Sequence, residues 1–101
     1  MKIYRITPKA KQDLKNIGRY TMKMWGKEQR NAYLHKLEYR FAWLAEHSYN
    51  GRYRPDVHDG YYSYPEGMHI IFYLIRDDGI DVIGIPHQRM NVVQHFFPMA
   101  F

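Results

Sequence analysis

The residues of this chain that are best suited to chemistry are two histidines and three arginines in its second half. They are His69, His87, Arg52, Arg54 and Arg89. RNA cleavage through the 2′-hydroxyl needs a base, an acid for the leaving 5′-oxygen and cations that stabilise the phosphorane. These side chains supply all three if a sheet brings them to one open face. The alternative is structural: His69 packs within a strand, and Arg52 and Arg54 fix a loop or face solvent.

Other classes of site have no signal in the sequence. The chain has no cysteine, which excludes disulfides and thiolate metal sites. It also has no glycine-rich phosphate loop and no nucleophile elbow. His58 and Asp59 are adjacent, but two neighbours in a loop do not make a metal site. We therefore expect no metal, no cofactor and no small-molecule ligand.

The composition limits which folds and which kinds of partner are expected. With 101 residues and 46% apolar content, the chain forms one globular domain, residues 1–101. The formal net charge of +5 and the 17% of aromatic residues favour an acidic partner, either nucleic acid or an acidic protein segment. No apolar run approaches the roughly 18–20 residues that span a membrane, and no secretion signal is visible. We expect a cytoplasmic protein without a membrane partner.

The histidines belong to a predicted β-hairpin that organises the rest of the chain. Two apolar runs, Met68–Ile75 and Ile80–Ile85, are separated by the turn signal Asp77-Asp78-Gly79. The first run is apolar on both alternating faces, which is typical of a central strand that is covered on both sides. His87 closes the second run, and Arg89 follows it directly.

The preceding residues predict the elements that cover this hairpin. Alternation in residues 2–6 indicates a strand near an edge, and Thr7-Pro8 starts a helix over residues 8–24. A second helix follows Gly26 over residues 27–47, and turn residues make 48–60 a loop. A short strand at 61–64 and a turn at 65–67 lead into the hairpin, and one or two helical turns begin the tail, about 92–101. The order β-α-α-β-β-β predicts an α+β fold, a helical hairpin packed on a small, mostly antiparallel sheet.

Motifs along most of the chain resemble one known family. They are DL..I..Y....WG at Asp13–Gly26, Gly51-Arg52, HxIFY at His69–Tyr73, and His87-Gln88-Arg89-Met90. From about residue 3 to 95 the chain resembles the ParE toxins of bacterial type II toxin–antitoxin systems, within the RelE/ParE superfamily. Two positions depart from the family pattern: Asn91 stands where Asp is usual, and Pro86 where an apolar strand residue is usual.

The resemblance implies the same β-α-α-β-β-β order and an activity by binding. A ParE-like toxin inhibits DNA gyrase by trapping its cleaved-DNA state, and a cognate ParD-like antitoxin neutralises it. For target binding we select Arg89, Met90, Arg52 and His87. For the antitoxin, an acidic amphipathic segment, we select the basic first helix and its surroundings: Lys11, Lys15, Arg19, Trp25 and Tyr33. Direct contact with nucleic acid is expected only within the target complex.

Two alternatives stay open at this point. In the first, the chain is a ribosome-dependent mRNA endonuclease of the RelE type, with His87, Arg52, Arg54 and Arg89 as catalytic residues. In the second, it is an inactive protein of the toxin fold that only binds its antitoxin. The binding interpretation assigns no catalytic residue.

Overall fold

The structure is a computed structural model that describes residues 1–98. The predicted apolar tail extends beyond this range, and residues 99–101 lie outside the described residues. The elements are β1 (Ile3–Ile6), α1 (Pro8–Trp25), α2 (Lys27–Glu46), a 3₁₀ turn (Ser48–Asn50), β2 (Arg52–Tyr53), β3 (Tyr61–Glu66), β4 (His69–Arg76), β5 (Gly79–Gly84) and α3 (Val92–Phe96).

The strands form a single mixed sheet with the order β1-β5-β4-β3-β2. β1 pairs in parallel with β5 at one edge, and every other neighbouring pair is antiparallel. β4 is the central strand, as its two apolar faces predict. The predicted meander of β3, β4 and β5 and the predicted edge position of β1 are both confirmed.

The helix boundaries follow the local signals in the sequence. The Thr7 side chain accepts a hydrogen bond from the backbone N–H of Ala10 at 3.3 Å, and Pro8 occupies the first turn. Gly26 ends α1 with a φ of 91° and lets α2 start at once. No helix within residues 1–98 is long and apolar enough to cross a membrane.

Both long helices pack on one face of the sheet and bury the main core. Leu37, Phe41 and Leu44 of α2 are fully buried, together with Ile71 and Tyr73 of β4. Burial of each large apolar side chain contributes about 1.5–3 kcal/mol, so this cluster fixes the helical hairpin on the sheet. The predicted α+β architecture is confirmed.

The prediction that residues 48–60 form a plain loop is wrong, because the segment contains β2. Arg52 pairs with Ser63, and Tyr53 pairs with Tyr62, at the edge of the sheet. A two-residue strand is too short to show the alternation by which strands are predicted. The sheet therefore has five strands among the described residues, one more than predicted.

The predicted turn at residues 65–67 is also wrong in its position, because β3 continues to Glu66. Pro65 pairs with Ile70, and the N–H of Ile70 points the other way, to the carbonyl of Pro86. In such a pair the backbone nitrogen of Pro65 points away from β4. β2 does not extend as far as Pro65, so no neighbouring strand loses a hydrogen bond because proline has no N–H. The chain turns at Gly67, which has a φ of 57°.

The second face of the sheet is covered by α3. Phe72 is fully buried, yet it lies outside the cluster beneath the long helices. Its ring meets that of Phe96 edge-on at 5.1 Å, and the Arg54 guanidinium lies 5.3 Å from its centroid. The helical turn predicted for the tail is therefore confirmed, and it covers the face that the pattern of β4 requires to be covered.

Replacing Gly79 by alanine is expected to break the pairing of β1 with β5. Gly79 has a φ of 145°, and a Cβ atom there would lie 1.7 Å from the carbonyl oxygen of Ile3. Because that neighbour is backbone, we expect the free energy of unfolding to fall by about 3 kcal/mol or more in urea denaturation. Gly18→Ala in α1 is the control, since its Cβ atom would meet only side-chain atoms at 3.7 Å or more, an ordinary contact, and alanine is favoured over glycine within a helix by about 1 kcal/mol. Equal losses would contradict this account.

Candidate functional site

The candidate site lies where the chain leaves the sheet after β5. Pro86 follows the end of this strand, and its carbonyl accepts a hydrogen bond from the N–H of Ile70 at 2.9 Å. The N–H of Gln88 donates to the carbonyl of Met68 at the same distance. These two bonds hold His87–Met90, which we call the exit segment, against the start of β4.

Arg89 and Met90 are the exposed end of the exit segment. Both side chains face solvent, and Met90 is 52% exposed. Arg89 forms no ion pair within residues 1–98. A cation and a flexible apolar side chain therefore project side by side from a backbone that is fixed by the sheet. This arrangement is suited to contact with a macromolecule.

His87 points back towards the sheet and is partly buried. It forms a bridge with His69, and the two rings meet edge-on with 5.3 Å between their centroids. Its Nδ1 atom accepts a hydrogen bond from the N–H of Arg89 at 3.1 Å. An accepting ring nitrogen carries no proton, so this bond fits the tautomer with the proton on Nε2. His87 thus shapes the exit segment.

His69 is held by Tyr33 of α2. The Tyr33 hydroxyl lies 2.6 Å from Nδ1 of His69 and 3.1 Å from the carbonyl of Glu66, and it accepts a hydrogen bond from the N–H of Met68 at 3.1 Å. Burial lowers the pKa of His69 to about 4, and the neighbouring His87 adds a smaller effect in the same direction. His69 is therefore neutral at physiological pH.

Tyr33 has a structural task in the turn between β3 and β4. A Cβ atom on Gly67 would lie 2.6 Å from the Tyr33 ring, so the Tyr33 side chain fits against this turn only because residue 67 is a glycine. Burial raises the pKa of Tyr33, and its hydroxyl is already engaged within the domain. Of the residues selected for the antitoxin, Tyr33 is thus the one with the least free polar surface.

Arg52 and Arg54 lie on the other side of the sheet. Arg54 is bound to Asp56 at 2.9 Å, lies near the Ser63 hydroxyl and covers the ring of Phe72. Its hydrogen bonds lower the pKa of Asp56. Arg52 is exposed on the edge strand β2. The structural alternative weighed for Arg54, that it fixes the loop, matches these contacts.

The five side chains considered for RNA cleavage do not converge. His69 lies on the face of the sheet that α2 covers, because Tyr33 of α2 contacts it, and His87 lies beside it. Arg54 lies with Phe72 on the opposite face. Arg54 is therefore separated from the two histidines by the sheet and cannot act with them on one phosphate, whereas Arg89 stays beside His87. No group of three or more potential metal ligands occurs within residues 1–98.

A buried carboxylate that the sequence analysis did not single out ties the exit to the helices. Asp13 of α1 is 7% exposed. Its Oδ2 atom accepts the N–H of Ile85 at 2.8 Å and lies 2.9 Å from Nε2 of His95 in α3. The same carboxylate therefore joins α1, the end of β5 and α3. In the sequence, Asp13 is marked only by its place at the start of the DL motif and as one acidic residue within the buried stripe of an otherwise basic helix.

The residues selected for the antitoxin lie mostly on the open face of α1. Lys11, Lys15 and Arg19 are all exposed, and Trp25 at the end of the helix is 67% exposed. None of the three cations forms an ion pair within residues 1–98. This surface is therefore cationic and bordered by an exposed aromatic ring.

Comparison with known proteins places the chain among toxins. Residues 4–92 match the family described as ParE toxin of type II toxin-antitoxin system, parDE. The chain is 34% identical over 95 residues to Toxin ParE1 of Caulobacter vibrioides, covering 94% of this chain and 98% of that protein. It is 33% identical over 90 residues to Toxin ParE1 of Mycobacterium tuberculosis, covering 88% and 92%.

The fold also has a counterpart among solved structures. A chain of the chromosomal ParDE TA system from P. aeruginosa superposes with a TM-score of 0.72, covering 86% of this chain and 96% of that chain. The two sequences are 18% identical, so this likeness concerns the fold alone.

Removing the Asp13 carboxylate is expected to cost more stability than removing His95. Asp13→Ala leaves the buried N–H of Ile85 without a partner and also releases His95, so we expect a loss of about 3 kcal/mol in the free energy of unfolding. His95→Ala keeps the bond to Ile85 and should cost about 1 kcal/mol. Chemical denaturation measures both losses, and amide hydrogen exchange at Ile85 should accelerate only in Asp13→Ala. Equal losses with unchanged exchange at Ile85 would refute the assignment.

Acidification is expected to destabilise the domain through His69. Its pKa is about 4 in the folded state and about 6.5 in the unfolded chain, so the unfolded state binds more protons between these values. Stability therefore falls as the pH drops from about 6.5 to 4. Urea denaturation across this range should show a shallower decline for His69→Asn than for the original protein. Identical declines would show that His69 does not titrate in this way.

Proposed function

Because this chain belongs to the ParE toxin family of type II toxin–antitoxin systems, we propose that it acts by binding DNA gyrase and trapping the cleaved-DNA state. The observation that carries the proposal is the exit segment. Arg89 and Met90 project, exposed, from a backbone that β4 holds in place. A rigid backbone lowers the entropy that is lost when a partner binds.

The proposed action is a shift of an equilibrium and needs no bond-making by the toxin. A ligand can favour the cleaved complex over the resealed one only by as much as its affinities for the two states differ. To change the ratio of the states a hundredfold, the toxin must bind the cleaved state about 2.7 kcal/mol more tightly. A few well-placed contacts from Arg89 and Met90 are of this order.

Within the target surface, the four selected residues have different roles in this proposal. Arg89 and Met90 make the contact, and His87 orients them through its bond to the N–H of Arg89. Arg52 lies on the edge strand β2, two strands away from β4, which holds the exit segment, so it would belong to a separate contact.

We further propose that a ParD-like antitoxin neutralises the toxin. An acidic amphipathic helix would lie across Lys11, Lys15 and Arg19 of α1, with Trp25 receiving its apolar side. An extended part of the antitoxin would add to an edge of the sheet, where β1 and β2 are the outer strands.

Since gyrase acts on chromosomal DNA, the proposed site of action is the cytoplasm.

The ribonuclease alternative has weaker support. Arg54 is engaged by Asp56 on the face opposite His87, and the Nδ1 atom of His87 is occupied by a backbone N–H. Neither arrangement favours transfer of a proton to or from RNA. The geometry thus favours the binding interpretation.

Changing the two exposed residues of the exit segment is expected to weaken gyrase inhibition. For Arg89→Gln combined with Met90→Ser, we expect at least a tenfold higher concentration for half-inhibition of gyrase supercoiling, because both proposed contacts are lost. Lys36→Gln combined with Tyr39→Ser is the matched control, since it removes one exposed cation and one exposed apolar side chain from α2. Unchanged inhibition by the exit variant would refute the role of these residues.

The point variants are preferable to a truncation after Met90. Truncation also removes Phe96 from Phe72 and His95 from Asp13. It would therefore uncover one face of the sheet, and a loss of inhibition could then come from unfolding. Thermal denaturation of both point variants checks that each is as stable as the original protein.

A further inference from the structure

Helix α1 holds nearly all of the excess positive charge of the chain. It has five cationic residues against one carboxylate, a net charge of +4, and the formal net charge of the whole chain is +5. The cations are Lys9, Lys11, Lys15, Arg19 and Lys23, and all are exposed. The carboxylate is Asp13, which is buried and bound to Ile85 and His95. The solvent face of α1 therefore carries no negative charge.

No carboxylate within residues 1–98 neutralises these five cations. Several arginines on other elements are neutralised locally: Arg5 lies 2.9 Å from Asp78, and Arg40 lies 2.8 Å from Glu66. The positive field is thus concentrated on one side of the domain, which is how a surface attracts a polyanion.

The spacing of the cations forms a row along the helix. Lys11, Lys15, Arg19 and Lys23 are each four residues apart, about 6 Å along the axis, so the row is about 18 Å long. One strand of duplex DNA carries a charge about every 3.4 Å along its axis. The row is thus as long as about five base pairs of duplex, and the phosphates that it can meet are those on the side of the duplex that faces α1.

The solvent side of α1 also carries neutral hydrogen-bonding residues. Gln12, Asn16 and Tyr20 each follow a member of the cationic row by one position, and all three are exposed. Side chains of these types commonly donate hydrogen bonds to phosphate oxygens in protein–DNA complexes. The face thus combines charges with neutral donors over the same length.

We propose that this face of α1 binds the sugar–phosphate backbone of double-stranded DNA. The cations follow an i, i+4 ridge, which is inclined to the helix axis, and the rigid helix presents this ridge in one fixed shape to a stiff duplex. Single strands are instead held by aromatic platforms, and α1 exposes only Tyr20 and Trp25. The contact reads no sequence, and it gives the free toxin its own affinity for DNA. The inference goes beyond gyrase binding and does not depend on it.

The same face is the surface that we propose for the antitoxin. If that proposal holds, DNA and an acidic antitoxin segment exclude each other from α1. Neutralisation would then remove the toxin from DNA as well as from its target.

The test is fluorescence anisotropy with a labelled 30-base-pair duplex of mixed sequence, titrated with the full chain at several salt concentrations. The α1 variant is Lys11→Gln with Lys15→Gln. The control is Lys27→Gln with Lys36→Gln on α2, which lowers the net charge by the same amount from exposed positions. Each lost phosphate contact lowers the slope of log affinity against log salt by about 0.9, so the α1 variant should lose about 1.8. The control should lose much less.

Three outcomes would overturn the proposal. The original protein could fail to bind the duplex in a salt-dependent way, the two variants could lose equal slope, or a single-stranded 30-mer could bind more tightly than the duplex. Binding of a labelled polyglutamate peptide without binding of DNA would belong to the first outcome and would assign the face to acidic protein segments. Gyrase is absent from the experiment, so failure of DNA binding is distinguishable from failure of gyrase inhibition.

Discussion

The buried carboxylate of Asp13 is the constraint on which the working surface of this protein depends. β1 ends where α1 begins, so the last part of β5 has no strand on that side, and Asp13 accepts the N–H of Ile85 there. The same oxygen holds His95 and with it α3, whose Phe96 covers Phe72 on the second face of the sheet. A buried N–H without this acceptor would cost about 1–3 kcal/mol. The Asp13 side chain therefore fixes both the residues after β5 and helix α3, which covers the second face of the sheet.

Polar groups with a structural role and polar groups exposed to solvent lie on different parts of the molecule. His69 and His87 are turned inwards, where His69 meets Tyr33 and His87 meets the N–H of Arg89. Cations that form no ion pair within residues 1–98 are turned outwards along α1 and at Arg89. A molecule built in this way offers charge and shape to a partner, while His69 and His87 stabilise the backbone of the exit segment. The proposed action by binding rests on this separation.

Most of the fold could be predicted from the sequence, because the strongest signals are local. Thr7-Pro8 and Gly26 set the ends of α1, and the two apolar faces of β4 predict a central strand. β2 could not be predicted, since two residues show no period and pair only because β3 lies beside them.

The site was less accessible to prediction, because it depends on contacts between distant parts of the chain. Arg54 and His87 appear as possible partners until the sheet is assembled and its two faces separate them. Asp13 and His95 are 82 positions apart, and no spacing connects them.

The central claim is binding without bond-making, and the direct measurement is a paired assay of the purified protein on gyrase with DNA and on ribosomes programmed with mRNA. The account predicts accumulation of cleaved DNA and intact mRNA. Cleaved mRNA with no accumulation of cleaved DNA would contradict it.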